Sequence, residues 1–256
     1  MKKLVSDIFD LLDRRRHLPG YRLEERLSPF FEFFLIDTLS AHFPMVDFHP
    51  IVIPEFPVRE HTVYSYHKST KSELFCLDSS DNNLHYNVDF VAFSKDVRQV
   101  FLIELKTDMG MRNVKQDGYL RGARKTPFHL FLEDIPALAK ASRKKPKYVH
   151  LLHLLEQLNL VQIPSDGLLF SKTFSEPTPG WTNAFEGVKF CFDVQFAESK
   201  LVYIQPESYE CENSNIHYIS FCNVAKSIHR LSDLGKLFSK YLGRWSKKPG
   251  SEVPRQ

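Results

Sequence analysis

The chain has 256 residues, 43% of them apolar, with 22 Phe and 10 Tyr, enough for one large domain around a single core. Its net charge of +3 is a mild basic excess that does not by itself announce nucleic-acid binding. Cys76, Cys191, Cys211 and Cys222 form no Cys-x-x-Cys pair, which excludes a zinc knuckle and a disulfide scaffold as readings. No window approaches the roughly 20 apolar residues of a membrane span. The start from Met1 has no uninterrupted apolar run of the signal-peptide kind, so a soluble cytoplasmic protein is expected.

Leu4, Ile8, Leu11 and Leu12 recur at helical spacing and predict an amphipathic first helix that stops near Pro19-Gly20. A second helix is predicted with Ser28 as its N-cap, Pro29 in its first position, and Leu35, Ile36, Leu39 and Phe43 on its apolar face. Residues 51–66 read as an extended segment that Pro54 and Pro57 confine to an edge or irregular strand. Strands are predicted at 84–93 and 99–107, joined into a hairpin by Ser94-Lys95-Asp96-Val97-Arg98.

Helical spacing returns at 112–125, 133–142 and 147–160. Residues 164–183 read as a long loop pinned by Phe170, Phe174 and Trp181. Strands at 188–196, 200–205 and 216–222 and helices across 223–242 complete one expected domain, 1–245, ahead of a disordered tail, 246–256. Basic clusters at Arg14-Arg15-Arg16, at Arg121 with Arg124 and Lys125, at Arg143-Lys144-Lys145 with Lys147, and at Arg244 with Lys247 and Lys248 tilt the expectation towards a polyanionic partner.

The hairpin holds the chemistry. It sets Asp89, Glu104 and Lys106 among apolar β-type residues, where an unpartnered charge is so costly that such groups are usually paired, metal-bound or catalytic. Glu104 and Lys106 share a face while Ile103 and Leu105 point the other way. With the turn centred between Asp96 and Val97, Asp89 is expected across from Glu104, about 5 Å away at Cβ.

Two carboxylates that close repel unless a cation lies between them. The geometry suits magnesium or manganese, which take one or two carboxylates and leave other positions to water and substrate phosphate, with the Leu105 carbonyl as a further ligand. Lys106 would orient or deprotonate the attacking water, or stabilise charge on phosphorus. The implied reaction is metal-assisted hydrolysis of a phosphodiester. A salt-bridged pair on a solvated strand face is the plainer alternative, and the apolar neighbours Phe101, Leu102, Ile103 and Leu105 weigh against it.

Asn87-Val88-Asp89, a gap of 14 residues, then Glu104-Leu105-Lys106 resembles the active-site hairpin of the PD-(D/E)XK nuclease superfamily, with Val88 where the name has proline. The resemblance covers a core of about residues 27–125 and implies the restriction-endonuclease-like fold. That is an α/β (α+β) fold with a mixed β-sheet flanked by helices in the order αβββαβ, here with C-terminal additions. It also implies magnesium at the hairpin and DNA as substrate. Glu32 lies on the face of Leu35, Ile36 and Leu39, where the family often carries an extra carboxylate that binds metal directly or through water.

Gln116 and Tyr119 look like the Gln and Tyr that some exonuclease-type members place beside the site, although their spacing here is three rather than the usual four. Lys115, Arg121 and Arg124 are candidate phosphate contacts, and His150-x-x-His153 with Glu156 reads as ordinary helix surface. Many members pair so that two sites cut two strands, which makes a homodimer compatible with the resemblance. The expectation is therefore a magnesium-dependent nuclease in which Asp89, Glu104, Lys106, Gln116 and Glu32 serve catalysis. A domain of the same fold that holds nucleic acid or a protein without cutting is the competing reading.

Overall fold

A computed structural model describes residues 2–16, 23–70, 85–107, 114–163, 187–191, 199–207 and 215–246. In chain order its elements are α1 (Lys2–Arg15), α2 (Leu23–His42), β1 (Phe48–Arg59), α3 (Glu60–Ser69), β2 (His85–Ser94), β3 (Val100–Leu105), α4 (Val114–Lys125), α5 (Phe128–Ala141), α6 (Lys145–Gln157), β4 (Val161–Gln162), β5 (Lys189–Phe190), β6 (Lys200–Gln205), β7 (Ile216–Ser220), α7 (Phe221–Ile228) and α8 (Asp233–Trp245). The architecture is a mixed α/β one, with a five-stranded sheet in the order β1-β2-β3-β6-β7 and a separate β4-β5 pair. No helix among the described residues is long and apolar enough to cross a membrane.

The chain divides into two compact units, one from residues 1–48, 103–113 and 201–256 and the other from 49–102 and 114–200. In the first, Phe9 is fully buried and stacks on Phe238 and Tyr241 at ring distances of 5.6 and 5.1 Å. This corrects the expected face of α1. Of the four residues read as its apolar stripe only Leu12 is buried, while Leu4 is 64% exposed and Ile8 and Leu11 are exposed too. One aromatic ring buries more apolar area than a single aliphatic side chain, so Phe9 sets the rotation of the helix.

α2 also departs from expectation, because it begins at Leu23 and takes Pro29 inside. A proline there removes one helical hydrogen bond. Burial of Leu23 and Leu27 on the preceding turns offsets that loss, and Glu24 and Glu25 suit the positive end of the helix. β6 and β7 run parallel, in register from Leu201 with Ile216 to Gln205 with Ser220, and β6 is apolar along most of its length, as a strand covered on both faces should be. The strand expected to reach residue 222 ends at Ser220, whose hydroxyl accepts from the Asn223 N–H and caps α7 instead.

In the second unit the segment read as extended to residue 66 turns helical at Glu60. Glu60, Val63 and His67, at offsets of three and seven, face the interior, a pattern masked by the strand-prone Tyr64 and Tyr66. β1 lies at a sheet edge, the place where a strand tolerates prolines such as those at 50, 54 and 57. α5 starts at Phe128, earlier than expected, and buries Phe131, Leu132 and Ile135. The expected strand at 188–196 is described only as β5, paired with a β4 that the sequence did not suggest. The aromatic loop at 164–183 and the tail from 247 lie outside the described residues, as do Cys76 and Cys211.

Candidate functional site

In the first unit, Glu104 and Lys106 form a buried ion pair at the end of β3. Lys106 Nζ donates to Glu104 Oε1 at 2.7 Å, and the two residues are 6% and 2% exposed. Leu105 is buried between them and, by strand alternation, faces the other way. The Lys106 N–H donates to the Ile204 carbonyl at 2.8 Å, so pairing with β6 continues past Leu105 and fixes the backbone under both charges. A solvated strand face is thereby excluded for this pair.

One residue further on, the Thr107 N–H donates to Glu24 Oε1 at 3.3 Å. An acid from α2 therefore meets the end of β3, and the residue that makes this contact is Glu24. Glu32, the acid that the sequence singled out, is half-buried and lies eight residues along α2, about 12 Å at the helical rise. The sequence signal for Glu24 was an acid in the first turn of a helix, hidden once that helix was taken to start at Ser28.

In the second unit, Asp89 is half-buried on β2 between the fully buried Val88 and Phe90. At the turn, the Ser94 N–H donates to the Gln99 carbonyl at 3.0 Å, which is the pairing expected of a hairpin centred between Asp96 and Val97. The Ser94 hydroxyl and the Arg98 N–H donate to the Asp96 carboxylate and hold it below its ordinary pKa. Asn87, on the same face as Asp89, accepts from Lys147 Nζ at 2.9 Å, and Lys147 also meets Glu55 Oε2 at 3.2 Å. Burial lowers the Lys147 pKa from its ordinary value, with the hydrogen bond to Glu55 opposing. The sequence counted Lys147 only as one charge in a basic cluster.

Gln116 is half-buried on α4, and Tyr119 on the same helix is a core residue. Its hydroxyl donates to the Val58 carbonyl at 3.3 Å, and burial, with Glu60 and Asp134 adding, raises its pKa. Tyr119 therefore leaves the list of site candidates. Arg124, read as a phosphate contact, is buried, while Lys115 and Arg121 remain at the surface. His153 lies 3.8 Å from Glu156 with both side chains open to solvent, and His150 is exposed.

Among the described residues no three or more His, Cys, Asp or Glu side chains gather into a group that could hold a metal. Magnesium ordinarily takes one or two carboxylates completed by water and substrate oxygens, and the carboxylate of Glu104 is an oxygen donor of the kind a hard cation takes rather than zinc. No family model matches the chain, and neither a curated protein nor a solved structure matches it.

Proposed function

We propose that this protein is a metal-dependent nuclease of the PD-(D/E)XK type that hydrolyses phosphodiester bonds of DNA. The observation that carries the reading is the Glu104–Lys106 pair, a carboxylate and an ammonium 2.7 Å apart and almost wholly buried. Removing two charges from water costs several kcal/mol per ion, and their mutual attraction repays this only with good geometry. Replacement of such a pair by apolar side chains is often neutral or stabilising, so a chain that needed only a stable strand would be as well served by leucine and methionine.

In this reading Asp89 and Glu104 hold magnesium, with the Leu105 carbonyl as a further oxygen ligand. Magnesium bound there supplies Lewis-acid stabilisation of phosphate charge and acidifies its water. Lys106 orients the nucleophile or neutralises charge on the non-bridging oxygens. Gln116 and Glu32 support the acids, and Glu24 fixes the backbone just beyond Lys106. The fold order supports the same reading: α2, β1, β2, β3, α4 and β6 follow αβββαβ, with α3, α5, α6 and the short β4-β5 pair inserted and β7, α7 and α8 added after it.

A second reading has its own observation. Lys106 already meets Glu104 directly, so the pair is compensated without any metal, as it would be in a domain that binds nucleic acid or a protein without cutting. Incubation with linear, circular and branched DNA in magnesium or manganese separates the two. The nuclease reading expects cutting that Asp89→Asn and Glu104→Gln abolish and that Lys106→Ala slows about a hundredfold or more. Cutting untouched by Lys106→Ala would refute the role of the lysine, and salt-sensitive binding without turnover in either metal would establish the second reading.

A further inference from the structure

In the first unit, α1, α7 and α8 enclose a cleft of about 1350 Å³, lined by none of the residues discussed above as site candidates. Lys3, Lys226, Arg230, Lys236 and Lys240 line it, against Asp233 as the one acid among the described residues that line it. The helices cannot hide these charges. α7 buries Phe221, Val224 and Ile228, and α8 buries Phe238, Tyr241, Leu242 and Trp245, which leaves Lys226, Arg230, Lys236 and Lys240 exposed on the opposite sides.

Like charges gathered round one concavity repel, and an anionic occupant relieves that repulsion. The floor is of another kind. Val5, Ala225, Leu234 and Leu237 line it as half-buried apolar side chains.

We infer that this cleft is a docking site for an amphipathic helix of a partner protein, acidic on its flanks and apolar on the side it presents. Helix-in-groove recognition needs apolar anchors at helical spacing set into such a floor, and a basic rim selects carboxylates beside them. The cleft exceeds the roughly 300–1,000 Å³ of an ordinary small-molecule pocket. Single-stranded nucleic acid is the weaker fit, because its bases need aromatic platforms and no Phe, Tyr or Trp is among the described residues that line the cleft. The phosphate chain of a duplex likewise offers nothing apolar to Leu234 and Leu237. This inference does not rest on the nuclease reading.

The test is fluorescence-anisotropy titration of the full-length protein with a labelled helical peptide of leucines along one face and glutamates elsewhere. Saturable binding is expected that weakens as salt rises and falls about tenfold or more in Lys236→Glu/Lys240→Glu, a double change at exposed positions. Arg230→Glu, also exposed, is the second variant, with circular dichroism confirming the fold of each. No binding by the peptide would overturn the inference. Equal binding by a peptide whose leucines are replaced by glutamine would reduce the cleft to a charged patch and overturn it too. Displacement of the peptide by an equally charged DNA oligonucleotide at lower concentration would assign the cleft to nucleic acid instead.

Discussion

The Glu104–Lys106 pair joins stability and chemistry in two side chains. Each charge is buried and the two meet at 2.7 Å, so removing one takes from the other an opposite charge that water cannot replace. Lys106→Met should therefore destabilise the protein by about 3–5 kcal/mol, read from urea unfolding. The double change Glu104→Leu/Lys106→Met should cost much less than the single one, since both charges leave together. Added magnesium gives a further contrast: if it is held at Glu104, the unfolding midpoint of Lys106→Met should rise with metal concentration, because a ligand that binds only the folded state stabilises it. A double variant as unstable as Lys106→Met would show that the carboxylate left without its lysine is not what costs the single variant its stability.

At the level of elements, α4 offers a matched pair of glycines. A Cβ built at Gly118 meets nothing within 4 Å, whereas one at Gly122 would come to 2.8 Å from Val63 Cγ1 on α3. Gly118→Ala should stabilise by about 0.5–1 kcal/mol through helix propensity, and Gly122→Ala should destabilise by about 1–3 kcal/mol through overpacking, both measured as shifts of the urea midpoint. Equal effects of the two would mean that α3 yields to the extra methyl.

Elements were legible in the sequence where one local signal dominated. The β2-β3 hairpin announced itself through strand-prone residues on both sides of a polar turn, and β6 spans the expected 200–205 as a continuous apolar run. Legibility failed where tertiary burial overrode local chemistry. The Ser28-Pro29 start signal yielded to the burial of Leu23 and Leu27, the strand propensity of Tyr64 and Tyr66 to the inward stripe of α3, and the aliphatic stripe of α1 to Phe9. Nor did the sequence show that Val97, a β-branched residue, takes a φ of 58° in the turn, a conformation that usually calls for glycine.

At the scale of the whole molecule, the sequence showed the charged hairpin because its residues lie within one short stretch. The basic cleft was invisible because it joins Lys3 to residues more than two hundred positions away. Partly buried side chains likewise carry a pH dependence that no motif reveals. Burial depresses the pKa of His42 below its ordinary 6.5, on a ring set edge-on to Phe43 and His217. Between that depressed value and 6.5 the unfolded chain binds a proton at His42 that the native state does not, so unfolding takes up protons and stability falls as pH falls.

The contribution is whole above the unfolded value and is lost as pH drops through the native one. His42→Gln should flatten this part of the curve, with urea midpoints from about pH 7.5 down to pH 5 as the measurement. Some slope should survive in the variant, because His49 is also depressed, by burial first and by Lys95 second. An unchanged slope would move the acid sensitivity away from His42 altogether. Lys147 carries the same sign to the alkaline end: its lowered pKa makes its contribution to stability rise with pH up to the ordinary lysine value of 10.5, and Lys147→Met should reduce that rise, part of which survives through Lys200, also lowered by burial.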